Sequence, residues 1–227
     1  NTPAVGRGML IKESFINSFY APGYFSLNDS IEFGDNTNAN NWYDINIEGA
    51  QRDGFTIPTG LNINRNNVYG GTIEGAVVNG IHMTSPGNGL QFNGTYFEAN
   101  GVDALFDATA TGVVPSVLSD CRFVATTGGQ AIVVTGPSRV IAERCDNNGV
   151  ELFHVTSASA IIRGIDNISK DGALEFSAAS VGNLTSSSFN GANVKNDTLR
   201  SFELAGIRVP VTQVGTISTL AAGASTT

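Results

Sequence analysis

The sequence predicts an all-β chain, a right-handed parallel β-helix, and three observations carry that expectation. A glycine preceded by Asn or Asp and followed by apolar/polar alternation recurs as Asp53-Gly54-Phe55, Asn79-Gly80-Ile81, Asn100-Gly101-Val102, Asn148-Gly149-Val150 and Asp171-Gly172-Ala173. Two repeats are nearly the same words, Ile47-Glu48-Gly49-Ala50-Gln51-Arg52-Asp53-Gly54 and Ile73-Glu74-Gly75-Ala76-Val77-Val78-Asn79-Gly80. Gly80, Gly101, Gly129, Gly149 and Gly172 are separated by 21, 28, 20 and 23 residues, about the length of one solenoid coil. Leucine-rich repeats share this length, but their Leu-x-x-Leu-x-Leu-x-x-Asn pattern is missing, and hexapeptide β-helices have a shorter period.

Taken in order, residues 1–30 read as an N-terminal cap. Ile11, Phe15 and Phe19 fall on one helical stripe that Pro22-Gly23 stops, so a short helix is expected to cover the open end of the solenoid. Residues 31–209 read as the β-helix. Aligned on the glycine, outgoing strands are Ile81-His82-Met83, Val102 to Phe106, Val150 to His154 and Leu174-Glu175-Phe176, with alternate side chains directed inward. Phe97, Phe123 and Phe189 on the incoming strands are expected to stack in the core. The 28-residue spacing contains Ala110-Thr111-Gly112-Val113-Val114-Pro115, read as a loop bulging from one coil. Asn193 takes the glycine position in the last full coil, and Asn tolerates positive φ better than other non-glycine residues. Residues 210–227 read as an extended linker toward a further domain of the same chain. The absence of an initiating Met suggests a fragment or a processed product.

Composition narrows the function. The formal net charge of -8 argues against nucleic acid, whose phosphates require concentrated Lys and Arg. No apolar stretch is long enough to span a bilayer, so membrane insertion is not expected. Cys121 and Cys145 lie about one coil apart and read as buried small hydrophobes that are close on the solenoid wall. No Cys/His cluster or Asp-x-Asp-x-Asp loop has metal-ligand spacing, and neither metal nor cofactor is expected.

Two candidate sites follow. The glycine alignment puts His82, Asp103, Glu151 and Glu175 in one outward column. Glu151 and Glu175 would then lie about 5 Å apart, and Asp103 and Glu151 about 10 Å, which brackets the carboxylate separations of retaining and inverting glycosidases. The plainer reading is a solvated acidic face. His154 is expected in the turn after its strand. The second candidate is aromatic: Trp42, Tyr43, Tyr69 and Tyr96, with Tyr20 and Tyr24, are interleaved with Asn38, Asn40, Asn41, Asn62, Asn64, Asn66 and Asn67. Flat rings beside amides suit a sugar, whose C–H face stacks while its hydroxyls need fixed donors and acceptors. The alternative is that these rings fill the cap and the Asn residues the corners.

The Asn-Gly coils, the N-terminal segment and the tail Ile217-Ser218-Thr219-Leu220-Ala221-Ala222-Gly223 resemble the β-helical tailspike and tail-fibre proteins of bacteriophages, over roughly residues 31–209. The resemblance implies a homotrimer in the virion tail, extracellular at host attachment, that binds or cleaves bacterial surface polysaccharide. The wider pectin-lyase-like group carries paired aspartates, Gly-His-Gly and Arg-Ile-Lys signatures, and none occurs here. A structural and receptor-binding module is therefore the leading expectation. A polysaccharide depolymerase using Asp103, Glu151 and Glu175 is the alternative, and a bacterial β-helical adhesin the second.

Overall fold

The structure, a computed structural model, describes residues 6–168 apart from 26–27, 60–62, 86–88, 110–113 and 158. Beyond these it describes the backbone of strands as far as Ile217–Ser218. Short alternating strands separated by tight corners wind into a parallel β-solenoid. Each strand pairs with its counterpart one coil away, building sheets of ten, ten and eight strands, with a further three-stranded sheet across the first coils.

Face 1 collects Asp29–Phe33, Asp53–Ile57, Asn79–Met83, Val102–Phe106, Gln130–Val134 and Glu151–Val155. Face 2 collects Asn41–Tyr43, Asn67–Tyr69, Gln91–Asn93, Ser116–Ser119, Arg139–Glu143 and Ile161–Ile165. Face 3 collects Asn46–Glu48, Thr72–Glu74, Tyr96–Glu98, Arg122–Val124, Asp146–Asn148 and Ile168–Lys170. Coil length varies: 26 residues separate the paired Asp53 and Asn79, but 21 separate Gln130 and Glu151.

Inward residues stack into columns. Face 2 contributes Trp42, Val68, Phe92 and Leu118, and face 3 contributes Ile47, Ile73, Phe97 and Phe123, all buried. Phe97 and Phe123 stack at 5.2 Å between ring centroids, as expected. Phe189 has its side chain outside the described residues. Each buried Phe or Ile contributes about 1.5–3 kcal/mol of apolar burial, so the columns supply the cohesion between coils.

The corner from face 2 to face 3 is built the same way in every described coil. Two residues join the strands, as between Tyr43 and Asn46 or Glu143 and Asp146. The first has positive φ: Ala21, Asp44, Gly70, Gly94, Asp120, Arg144 and Asp166, with values from 44° to 69°. Another corner carries buried amides. Asn40 Nδ2 donates to Asn66 Oδ1 at 3.0 Å, and Asn66 Nδ2 to the Thr37 carbonyl at 2.8 Å, which satisfies backbone groups that a turn leaves unpaired.

The expected capping helix is corrected. No helix occurs among the described residues, and the segment forms the first coil, with strands Arg7–Ile11, Ser14–Phe15, Ser18–Tyr20 and Gly23–Phe25. Glu13 and Ile16, at φ of 49° and 55°, turn the chain between strands and break the helical stripe. Ile11 is buried, Phe15 is 57% exposed, and Phe19 stacks on Trp42 at 4.2 Å. Apolar spacing of four matched a helix because a strand, a turn and a strand can span the same interval. Each strand of this coil is terminal in its sheet. Of the expected linker only Ile217–Ser218 is described, and it pairs antiparallel with Asn193 and Val194. Most of the Ala110–Pro115 loop lies outside the described residues.

Candidate functional site

The register separates the acidic candidates. On face 1 His82 lies opposite Thr56 and Leu105, and the same column continues through Val133 and His154 to Glu175. Glu151 belongs to another column, opposite Gln130, in line with Val102, Asn79 and Asp53. Asp103 follows Val102 and is fully buried. The expected single column is therefore corrected. His154, expected in a turn, lies within Glu151–Val155.

Glycine caused the slip, because it serves two different positions. Gly54 and Gly80 stand inside their strands, and a Cβ on Gly80 would meet the Asp103 carbonyl oxygen at 2.7 Å. Gly101 precedes its strand, where a Cβ would meet the Val78 carbonyl oxygen at 2.3 Å. Aligning Gly80 with Gly101 shifts the register by two residues: the true counterpart of Ile81 is Ala104, not Val102.

Each described carboxylate of this region is engaged in holding coils together. Asn100 Nδ2 donates to Asp103 Oδ1 at 2.9 Å, and the Thr126 hydroxyl donates to the other oxygen. Burial raises the Asp103 carboxyl to about 7 despite those two donors, which favour the anion. Gln130 Nε2 donates to Glu151 at 3.1 Å, and His154 Nδ1 is 3.2 Å from the same carboxylate. His82 bridges Asp53, at 3.1 Å from Nδ1, and Asp107, at 3.3 Å from Nε2. The bond to Asp53 raises the His82 pKa more than burial lowers it. Arg52 Nε donates to Asp29 at 2.8 Å and lies 3.2 Å from Asp53. The side chain of Glu175 lies outside the described residues.

The aromatic candidates divide by face. Trp42 is fully buried between Phe19 and the core, so its expected contact with a ligand is corrected to a packing role. Tyr43 and Tyr69 point outward on face 2 and extend a ladder that begins at Tyr20. The rings stack at 5.0 Å and 5.3 Å, with interplanar angles of 10° and 18°. Beside them Asn67 Nδ2 donates to Asn41 Oδ1 at 3.0 Å. Tyr96 stands on face 3 instead, between Thr72 and Arg122 in its column.

Below Tyr69 the column continues with Asn93, which carries no ring. Tyr69 stacks on Tyr43, and Asn93 on its other side lines a groove of about 340 Å³. Gln91, Asn93, Val117, Ile141, Glu143, Arg144 and Arg163 are among the residues that line it. Arg144 is held by Asp120, with two bonds of 2.8 Å, and by Glu143 at 3.2 Å. Those bonds pull the Asp120 carboxyl below its usual range. The groove residues were not singled out from sequence: they are scattered at coil intervals, and only the correct register brings Asn93, Ser119 and Glu143 into one line.

Among the described residues no group of three or more His, Cys, Asp or Glu is placed to hold a metal ion. Cys121 and Cys145 are buried thiols in adjacent coils, each directed at backbone carbonyls. No protein-family model, curated protein or solved structure matches the chain.

Proposed function

We propose that the solenoid is a glycan-binding module of a phage tail fibre or tailspike, with the outer surface of face 2 as its receptor site. The observation that carries this reading is the Tyr20–Tyr43–Tyr69 ladder, whose column continues at Asn93 in the lining of the polar groove. Rings stacked on one another offer solvent their edges and hydroxyls, and the terminal ring of Tyr69 offers a face. A sugar stacks its C–H surface on that face while Asn93 and Gln91, both exposed, supply amide donors and acceptors. Assembly as a homotrimer and a place in the virion tail belong to the same reading, and their support is the resemblance of the coils. The depolymerase alternative has less support, because Asp103, Glu151 and Glu175 do not share a column.

The test is binding to a panel of bacterial capsule and lipopolysaccharide glycans, with Tyr69→Ala and Tyr96→Ala compared. Tyr69→Ala should weaken binding about ten-fold, or about 1.4 kcal/mol, and Tyr96→Ala should leave it unchanged. Equal loss in both variants, or no binding to any glycan, would refute the assignment to face 2.

A further inference from the structure

Arg163 stands apart from the other charges of face 2. Arg144 is neutralised by Asp120 and Glu143, whereas Arg163 makes no ion pair or hydrogen bond with another described residue. It is exposed and lines the groove in line with Gln91, Val117 and Ile141. Without a partner among the described residues, on a chain of net charge -8, this cation is the one unpaired charge in the groove's described lining.

From this placement we infer that the groove recognises an acidic glycan, with Arg163 pairing the carboxylate of a uronic or other acidic sugar. The inference rests on the glycan-binding reading of face 2. The guanidinium presents a planar fork that matches both oxygens of a carboxylate, which an ammonium or an amide does not. Val117 and Ile141, half-buried between the two ends, give apolar surface for the C–H faces of the intervening sugars. One coil earlier Asp120 and Glu143 outnumber Arg144 in a single bonded cluster, and its excess negative charge disfavours a second acid there, so the position of the charge along the ligand is specified. From Asn67 the column passes Gln91, Val117 and Ile141 before reaching Arg163. Four strand spacings of about 4.8 Å place Arg163 roughly 19 Å from the Tyr69 coil. The ligand is therefore an extended chain, neutral where it meets Tyr69 and anionic at the far end.

The experiment uses acidic bacterial capsular polysaccharides, each paired with its carboxyl-reduced derivative, and measures affinity for the wild-type protein, Arg163→Gln and Tyr69→Ala. Wild type should bind the acidic member about five-fold more tightly than the reduced one, in keeping with a partly exposed charge pair. Arg163→Gln should bring that ratio to about one while leaving affinity for the reduced polymer intact. Tyr69→Ala should weaken both polymers and preserve the ratio. Unchanged circular dichroism and Tm for Arg163→Gln would show that the exposed substitution has not disturbed the fold. A ratio of one in wild type, or a ratio that survives in Arg163→Gln, would overturn the acidic site and leave glycan binding standing. No binding to any member of the panel would overturn both.

Discussion

Ala125 occupies a left-handed conformation, φ 52°, in an exposed corner where other coils place glycine, as at Gly49 and Gly75. A left-handed L-residue costs about 1–2 kcal/mol, whereas glycine adopts the region freely. Ala125→Gly should therefore stabilise the protein by roughly 0.5–1 kcal/mol in urea melts, opposite to the usual cost of glycine. Gly101→Ala should do the reverse and cost several kcal/mol, since its Cβ would meet the Val78 carbonyl oxygen at 2.3 Å. Asp103 gives a pH signature. Its folded pKa of about 7 lies above the usual carboxyl range, so its contribution is complete in acid and is lost as pH rises through 7. Asp103→Asn, which stays neutral, should gain on wild type by about 2–4 kcal/mol between pH 5 and pH 8.5, read as the difference in Tm. These features were not legible in the sequence. Left-handed corners filled by Asp, Ala and Arg carry no glycine signal, and an Asp in an alternating strand reads as solvated until its neighbours are known.

At the level of strands, the columns that bind coils together combine apolar stacks inside with polar clamps outside. His82 joins Asp53 to Asp107 across three coils, and its raised pKa means that the clamp holds best while the ring is charged. The stabilisation is full below the unfolded pKa near 6.5 and disappears as pH rises through the higher folded value. His82→Gln should consequently lower Tm more at pH 5.5 than at pH 9, and a deficit independent of pH would refute the clamp. The existence of strands, their approximate length and the stacking of Phe97 on Phe123 were readable from alternation alone. Register was not, because Gly80 and Gly101 look alike in sequence but answer to different close contacts. That two-residue shift set Asp103 beside His82, when its true neighbour is Gly80 at the start of the strand, where Asn100 and Thr126 bury the carboxylate. Trp42 was misplaced for a related reason: Asn41-Trp42-Tyr43 alternates, and only the coil above shows that Trp42, rather than its two neighbours, faces the core.

Across the whole solenoid each coil touches mainly the coils before and after it, so stability is a sum of nearest-neighbour terms. The first coil has a neighbour on one side, and Phe15, Ile16, Tyr20 and Phe25 are exposed there at 57%, 83%, 75% and 56%. Backbone amides in the strands Arg7–Ile11 and Ser18–Tyr20 should exchange with solvent faster than those of Asn79–Met83 and Val102–Phe106, which are flanked on both sides. Uniform protection would mean that the coils open as one unit. Asp103 and His82 act in the same direction, so their combined contribution should weaken as pH climbs from 5 to 9. The general architecture was legible because repetition is a property of the chain as a whole. The face proposed for binding was only half legible, because its aromatic end is clustered in sequence while its groove is dispersed.

The two-residue corner between faces 2 and 3 has a consequence for how such a chain can change. Every described coil crosses it in the same number of residues, so differences in coil length are absorbed at the other corners, as in the interval from Phe106 to Ser116. Insertions and deletions there leave the ladders beside the fixed corner in step. Tyr69, Asn93 and Glu143 would keep their spacing while loops elsewhere lengthen or shorten. A lineage could thus vary its loops freely without altering the spacing that the proposed ligand would meet along the wall.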